Sequence, residues 1–247
     1  MDVQLDGKTT LVTGGSGGIG RAIIRELAHH GSDLAVGYHT NEGSAQEAAA
    51  EVRETGQKAV AVRADVSEPE DVDHLFDRVE TTLGPIDVLV NNAGVARGGA
   101  IGDLDDEEID HVLGVNLQGV FHTCRAAAGR LTEGGRVINL STGLTNQPEA
   151  GFGLYAASKA GVETLTRSLA AELGPRDITA NVVQPGPTEP GMFKARSGAA
   201  HGRRVSDSYF GRIGRAEEIA RVVAFLASSA SGWVSGEVIC VDGGIMS

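Results

Sequence analysis

"TTLVTGGSGGIGRAIIREL", residues 9–27, joins a β-branched run to an amphipathic helical pattern through a cluster of glycines. Gly14, Gly18 and Gly20 permit a tight turn and close approach of the backbone to a bound group, with Ser16 and Ile19 on the same turn. A helix starting directly behind such a turn presents unpaired N–H groups and the positive end of its dipole, a setting that suits a pyrophosphate. A glycine run alone also fits a plain strand-to-helix turn. Its place at the first strand–helix junction of an alternating chain favours dinucleotide binding.

Outward from this unit the alternation continues. Strands are predicted at Thr9–Thr13, Asp33–Tyr38, Ala59–Arg63, Val88–Asn91, Val137–Leu140, Thr179–Val183 and Val238–Val241. Helices are predicted near 18–30, 43–55, 69–82, 105–130, 153–173 and 215–228. In the fifth helix Val162, Leu165, Leu169 and Leu173 recur at spacings of three and four, one buried stripe, and Gly174-Pro175 ends it. Continuous apolar strands separated by helices mean a parallel sheet covered on both faces. The expected fold class is α/β, a doubly wound Rossmann fold with seven strands, spanning residues 1–247 as a single domain. Residues 187–210 break the regularity, and their length and composition predict a mobile substrate lid.

The bulk numbers exclude several function classes. A net charge of −12 argues against a nucleic-acid surface. No apolar run approaches the ~20 residues that span a bilayer, and the first residues lack the pattern of a signal peptide. Two cysteines, Cys124 and Cys240, each in an apolar segment, read as buried small side chains in a reducing compartment, not as a disulfide or metal site. The expected location is cytoplasmic.

The chemistry points to "NLSTGLTNQPEAGFGLYAASKAG", residues 139–161. Tyr155 and Lys159, four apart on a helix, share one face. A nearby ammonium would favour the phenolate and lower a pKa that is ~10 in water, which suits an acid/base pair. Ser141 and Thr142 are the upstream hydroxyls available to work with it. At the end of the second strand, "LAVGYHTNEG" (34–43) places Tyr38, His39, Thr40 and Asn41 where a carboxylate for a ribose 2′-hydroxyl is expected. Nothing at 38–41 repels a 2′-phosphate, although Glu42 is close by, and NADP(H) is favoured over NAD(H).

Taken together, "TGGSGGIG" (13–20), "DV" (65–66), "NNAG" (91–94), "GVNLQGVF" (114–121), "YAASK" (155–159), "QPGPT" (184–188) and "VDGG" (241–244) form an ordered set. In this set the chain resembles the classical short-chain dehydrogenase/reductase family along its whole length, most closely the 3-oxoacyl-[acyl-carrier-protein] reductase-like branch. The resemblance implies that Asp65 and Val66 lie against adenine, while Asn91, Ala93 and Gly94 follow the ribose and nicotinamide. It implies that Lys159 holds the nicotinamide ribose and that Pro185, Gly186 and Thr188 border the carboxamide. Asn116 would distort its helix and anchor a water in a proton relay. The family's active serine usually lies thirteen residues before the tyrosine. That position is Thr142 in this chain, with Ser141 as the alternative if the loop absorbs one more residue. A homotetramer formed through the fourth and fifth helices and the last strand is implied as well.

Two departures bear on the cofactor. Gly17 stands where many NADPH-using relatives carry an arginine, and Pro190 replaces a common threonine. The leading function is NADPH-dependent reduction of a ketone or 3-oxoacyl thioester, with Tyr155 as general acid. An NAD(P)+-dependent alcohol, sugar or steroid dehydrogenase would use the same residues in reverse. A catalytically inactive NADP-binding sensor is a third reading, disfavoured by the intact Tyr155, Lys159 and Asn116.

Overall fold

The computed structural model describes residues 3–191 and 208–245. Its main sheet contains β1 (Thr9–Thr13), β2 (Asp33–Tyr38), β3 (Ala59–Arg63), β4 (Val88–Asn91), β5 (Arg136–Leu140), β6 (Thr179–Pro185) and β9 (Val238–Val241). All pairs are parallel, in the order β3-β2-β1-β4-β5-β6-β9. Two-residue strands β7 (Thr188–Glu189) and β8 (Gly214–Arg215) pair with each other outside it. Strand order reverses between β1 and β4, so the crossovers leave a crevice at the carboxyl ends of the central strands.

The helices fall into two groups because the strands are apolar on both sides. One core packs α1 (Gly18–His29), α2 (Glu42–Glu54) and α7 (Ala216–Ala227) through Ile23, Leu27, Ala48, Val52 and Val223. The other packs α3 (Pro69–Leu83), α5 (Gly119–Arg130) and α6 (Gly153–Leu173) through Leu75, Phe76, Val120, Val162 and Leu169. Truncating Ile23, Leu27, Leu75, Phe76 or Leu169 to alanine removes ~2–5 kcal/mol.

Three expectations change in detail. The helix predicted over 105–130 is α4 (Asp106–Leu113) and α5 joined by a π turn at Gly114–Gln118, with Asn116 in its middle. Periodicity cannot show such a turn, because it is set by what Asn116 bonds across the fold. Strand β6 runs on to Pro185, two residues past the prediction. Cys124 is buried, but Cys240 is exposed because β9 is the sheet's edge strand. Residues 192–207, most of the predicted lid, lie outside the described residues.

Candidate active site

The glycine turn fits a dinucleotide. Gly14 has φ +63°, and a Cβ there would lie 2.8 Å from Ala93 Cα; a Cβ on Gly20 would lie 2.2 Å from Gly14 O. Only bare backbone permits α1 to start this close to β1. No side chain caps α1, so its first N–H groups are left for a ligand. Asn92 braces the turn by donating from Nδ2 to Gly14 O (2.8 Å) and Thr13 O (3.2 Å). Asn91 faces elsewhere: its Nδ2 donates to Asn139 Oδ1 at 2.9 Å in the buried layer beside Cys124. Any contact of Asn91 with a cofactor is therefore through its backbone.

Beside this turn a cleft opens between the end of β5, the start of α6 and the end of β6. Thr142, Tyr155, Lys159, Pro185, Gly186 and Thr188 line it. Tyr155 and Lys159 are both buried on the same face of α6. Lys159 Nζ donates to Leu140 O at 2.9 Å, and burial lowers its pKa to about 8. Burial raises the Tyr155 phenol above its usual value, and the neighbouring Thr142 hydroxyl pulls it partly back. This corrects one expectation. The Lys159 ammonium is given to a carbonyl in a dry setting, and burial outweighs what favours the phenolate, so the phenol stays above its usual value.

Asn116 is fully buried. Its Oδ1 accepts from Val95 N and its Nδ2 donates to Val95 O, both at 2.8 Å, and Nδ2 also donates to Ser158 Oγ at 3.1 Å. These bonds tie the π turn to the strand end after β4 and to α6. A Cβ on Gly94 would lie 3.3 Å from Asn116 Oδ1 and 3.4 Å from Lys159 Nζ, so a bare backbone here leaves room for both side chains.

The two candidate hydroxyls part company. Ser141 is buried and donates to Glu163 Oε1 at 2.5 Å, behind the cleft. Thr142 points the other way, toward Tyr155. Successive residues at a strand end face opposite sides; Ser141 also borders the cleft, but its hydroxyl is given to Glu163. Thr188 is buried too, with its hydroxyl given to Gly186 O at 2.9 Å.

At the far end of the crevice the chain is more open. Tyr38 packs its ring into the core, which removes it as a side-chain ligand, while His39 and Thr40 are exposed. Arg63 Nε donates to His39 O at 3.2 Å, so a guanidinium stands beside the turn. His39 Nε2 lies 3.4 Å from Asp65 Oδ2. Burial pushes the Asp65 carboxyl up, but hydrogen bonds from Ser67 and the charge of His39 outweigh it and leave the group below its usual range. Val66 is buried against Gly119.

Residues 14–246 match a family model described as "Enoyl-(Acyl carrier protein) reductase". A short-chain type dehydrogenase/reductase of Picea abies is 41% identical, covering 97% of this chain and 93% of that protein. The chain belongs to the classical short-chain dehydrogenase/reductase family. An Arabidopsis thaliana protein named NADPH-dependent aldehyde reductase-like, chloroplastic, is 39% identical across 98% of this chain and 95% of its own length. Among solved structures, a short-chain dehydrogenase from Burkholderia cenocepacia in complex with NADP superposes with a TM-score of 0.95. It is 40% identical, covering 99% of this chain and 100% of the other.

Family membership makes this chain an NAD(P)-dependent oxidoreductase and puts the departures in view. The sequence reading missed Glu163, Asn92 and Arg63. Glu163 had a signal: it continues the series 155, 159, 163 at four-residue steps, a carboxylate on the buried face of α6. Arg63 had none, since only the pairing of β2 with β3 brings it to His39.

Proposed function

We propose that this short-chain dehydrogenase/reductase reduces a ketone or aldehyde carbonyl to the alcohol with NADPH. The observation that carries the reading is the cleft that brings together the Tyr155 phenol, the Thr142 hydroxyl and Lys159. A phenol held protonated by burial is a proton donor at neutral pH, as a growing alkoxide requires. Thr142 would hydrogen-bond the carbonyl oxygen and stabilise charge that builds there. Lys159 keeps two N–H bonds beyond the one given to Leu140, suited to ribose hydroxyls. Asn116 fixes the π turn and offers the second lone pair of Oδ1 to a water. The dinucleotide, when bound, supplies the hydride.

The glycine turn, with Ser16, Gly18 and Ile19, is assigned to the pyrophosphate, Asp65 and Val66 to adenine, and Ala93, Gly94, Pro185, Gly186 and Thr188 to the nicotinamide half. NADPH preference is supported by the absence of a carboxylate at 38–41, by Arg63 and His39 beside that turn, and by the cofactor of the named relatives. Apolar walls from Leu144, Phe152 and Pro187 favour a carbonyl on an apolar body, a 3-oxoacyl thioester among the candidates. Following NADPH and NADH oxidation against aldehydes, cyclic and aromatic ketones and 3-oxoacyl thioesters tests the assignment. Turnover with NADPH on one of these classes is expected, and greater turnover with NADH would contradict the cofactor reading.

The chain is further assigned as one catalytic domain, 1–247, that assembles as a homotetramer in the cytoplasm. Exposed Phe121 on α5 and the open edge of β9 support the assembly, and two unpaired cysteines suit a reducing compartment. No helix among the described residues is long and apolar enough to cross a membrane. Light scattering on the eluting protein and cell fractionation test these two assignments.

A further inference from the structure

Behind the cleft lies a buried carboxylate that the catalytic residues do not need for charge. Glu163 is 8% exposed, and its partners are neutral. A single oxygen, Oε1, accepts from Ser141 Oγ at 2.5 Å, Thr145 Oγ1 at 2.8 Å and Gln184 Nε2 at 3.1 Å. Gln184 also donates to Thr145 Oγ1 at 2.6 Å. Burying a carboxylate is costly unless donors replace its water, so the three donors are drawn to fixed places around it.

Two of those donors bracket Thr142. Ser141 precedes it, and Thr145 closes the short turn that follows, its backbone N–H donating to Thr142 O at 3.2 Å while its hydroxyl proton goes to Glu163. The backbone that aims the Thr142 hydroxyl is therefore clamped on both sides by one side chain of α6, the helix that also carries Tyr155 and Lys159. We propose that Glu163 is a positioning residue for Thr142, locking the active hydroxyl in register with the phenol on its own helix. Ser141 belongs to this clamp. The proposal rests on the assignment of Thr142 as the active hydroxyl.

The test is a double-mutant cycle on kcat, with cofactor dissociation constants measured alongside. Misplacing a reacting group by about 1 Å costs up to ~10²-fold, so Glu163→Ala should lower kcat roughly 10–100-fold with the NADPH dissociation constant unchanged. Glu163→Gln, which keeps an acceptor oxygen, should recover most of the rate. In a Thr142→Ala background the Glu163→Ala penalty should disappear. Wild-type kcat in folded Glu163→Ala, or a penalty that multiplies in full on Thr142→Ala, would overturn the proposal. If Thr142→Ala itself leaves kcat intact, the assignment of the hydroxyl has failed instead, and the proposal with it. Should Glu163→Ala not fold, Thr145→Val removes one donor at equal size, and the same cycle decides on its smaller penalty.

Discussion

At the ends of β5 and β6 Tyr155 and Lys159 are buried and Thr142 is half-buried; at the ends of β2 and β3, His39 and Thr40 stand in solvent. Lys159 and Asn116 have almost no exposed surface, and Tyr155 has 7%. The His39 side chain is 51% exposed, with Nε2 3.4 Å from Asp65 Oδ2. The contrast separates two tasks. Proton transfer needs geometry, which a dry, fully bonded site preserves. Cofactor choice needs charge complementarity, which an exposed site provides weakly and at the mercy of salt. Substitutions at Tyr155 and Thr142 should therefore change kcat, and those at the β2 end should change the ratio between cofactors.

The largest expected effect is at Tyr155. Tyr155→Phe keeps the ring in its buried seat and removes the proton donor, so kcat for carbonyl reduction should fall ~10²–10⁴-fold. NADPH titration by fluorescence should show the dissociation constant unchanged. A matched loss of cofactor binding would mean that the two regions are not separable. Because burial raises the phenol's pKa, the protonated form dominates at neutral pH. The reduction rate should be flat through that range and fall on the alkaline side, while oxidation of the product alcohol rises with pH.

Lys159 is the buried residue that serves both tasks, since it is assigned to the cofactor ribose as well as to the reacting groups. Its pKa of about 8, lowered by burial, means the ammonium is present below that pH and lost above it. Cofactor affinity should weaken as pH rises past 8 in the wild type and be insensitive to that step in Lys159→Met. A hydrogen bond from a charged donor is worth ~1.5–3 kcal/mol, so the variant should bind NADPH roughly 10–100-fold more weakly at pH 7.

The β2 end should respond more gently. His39→Asp places a carboxylate where the 2′-phosphate is expected and should turn the NADPH/NADH ratio of kcat/KM toward NADH by about tenfold, ~1.4 kcal/mol. The kcat at saturating cofactor should stay close to wild type. A collapse of kcat would place His39 among the reacting groups and erase the distinction.

The sequence made most of the scaffold legible because the strands are continuous β-branched runs. Thr9–Thr13, Asp33–Tyr38 and Val238–Val241 are strands over the expected residues. The chemistry was legible only where it is local: Tyr155 and Lys159 are one helical turn apart, and their meeting needs no tertiary information. The π turn at Asn116 depends on Val95 and Ser158, residues far away along the chain. The Glu163 clamp joins β5, α6 and β6 and exists only once the sheet has formed. The net rise of the Tyr155 pKa was illegible for a related reason. Spacing puts Tyr155 and Lys159 on one face but cannot show that Leu140 O claims the ammonium.

The neighbouring hydroxyls give the sharpest test, since Ser141 and Thr142 differ by one position and face opposite sides of the strand end. The measurement is kcat for carbonyl reduction, at saturating NADPH, of Thr142→Ala, Thr142→Ser and Ser141→Ala side by side. Loss of a donor to the developing oxyanion costs ~10²–10³-fold, so Thr142→Ala should fall by that amount, Thr142→Ser should keep most of the rate, and Ser141→Ala should lose less than about tenfold. The reverse order, with Ser141→Ala crippled and Thr142→Ala nearly active, would contradict the account.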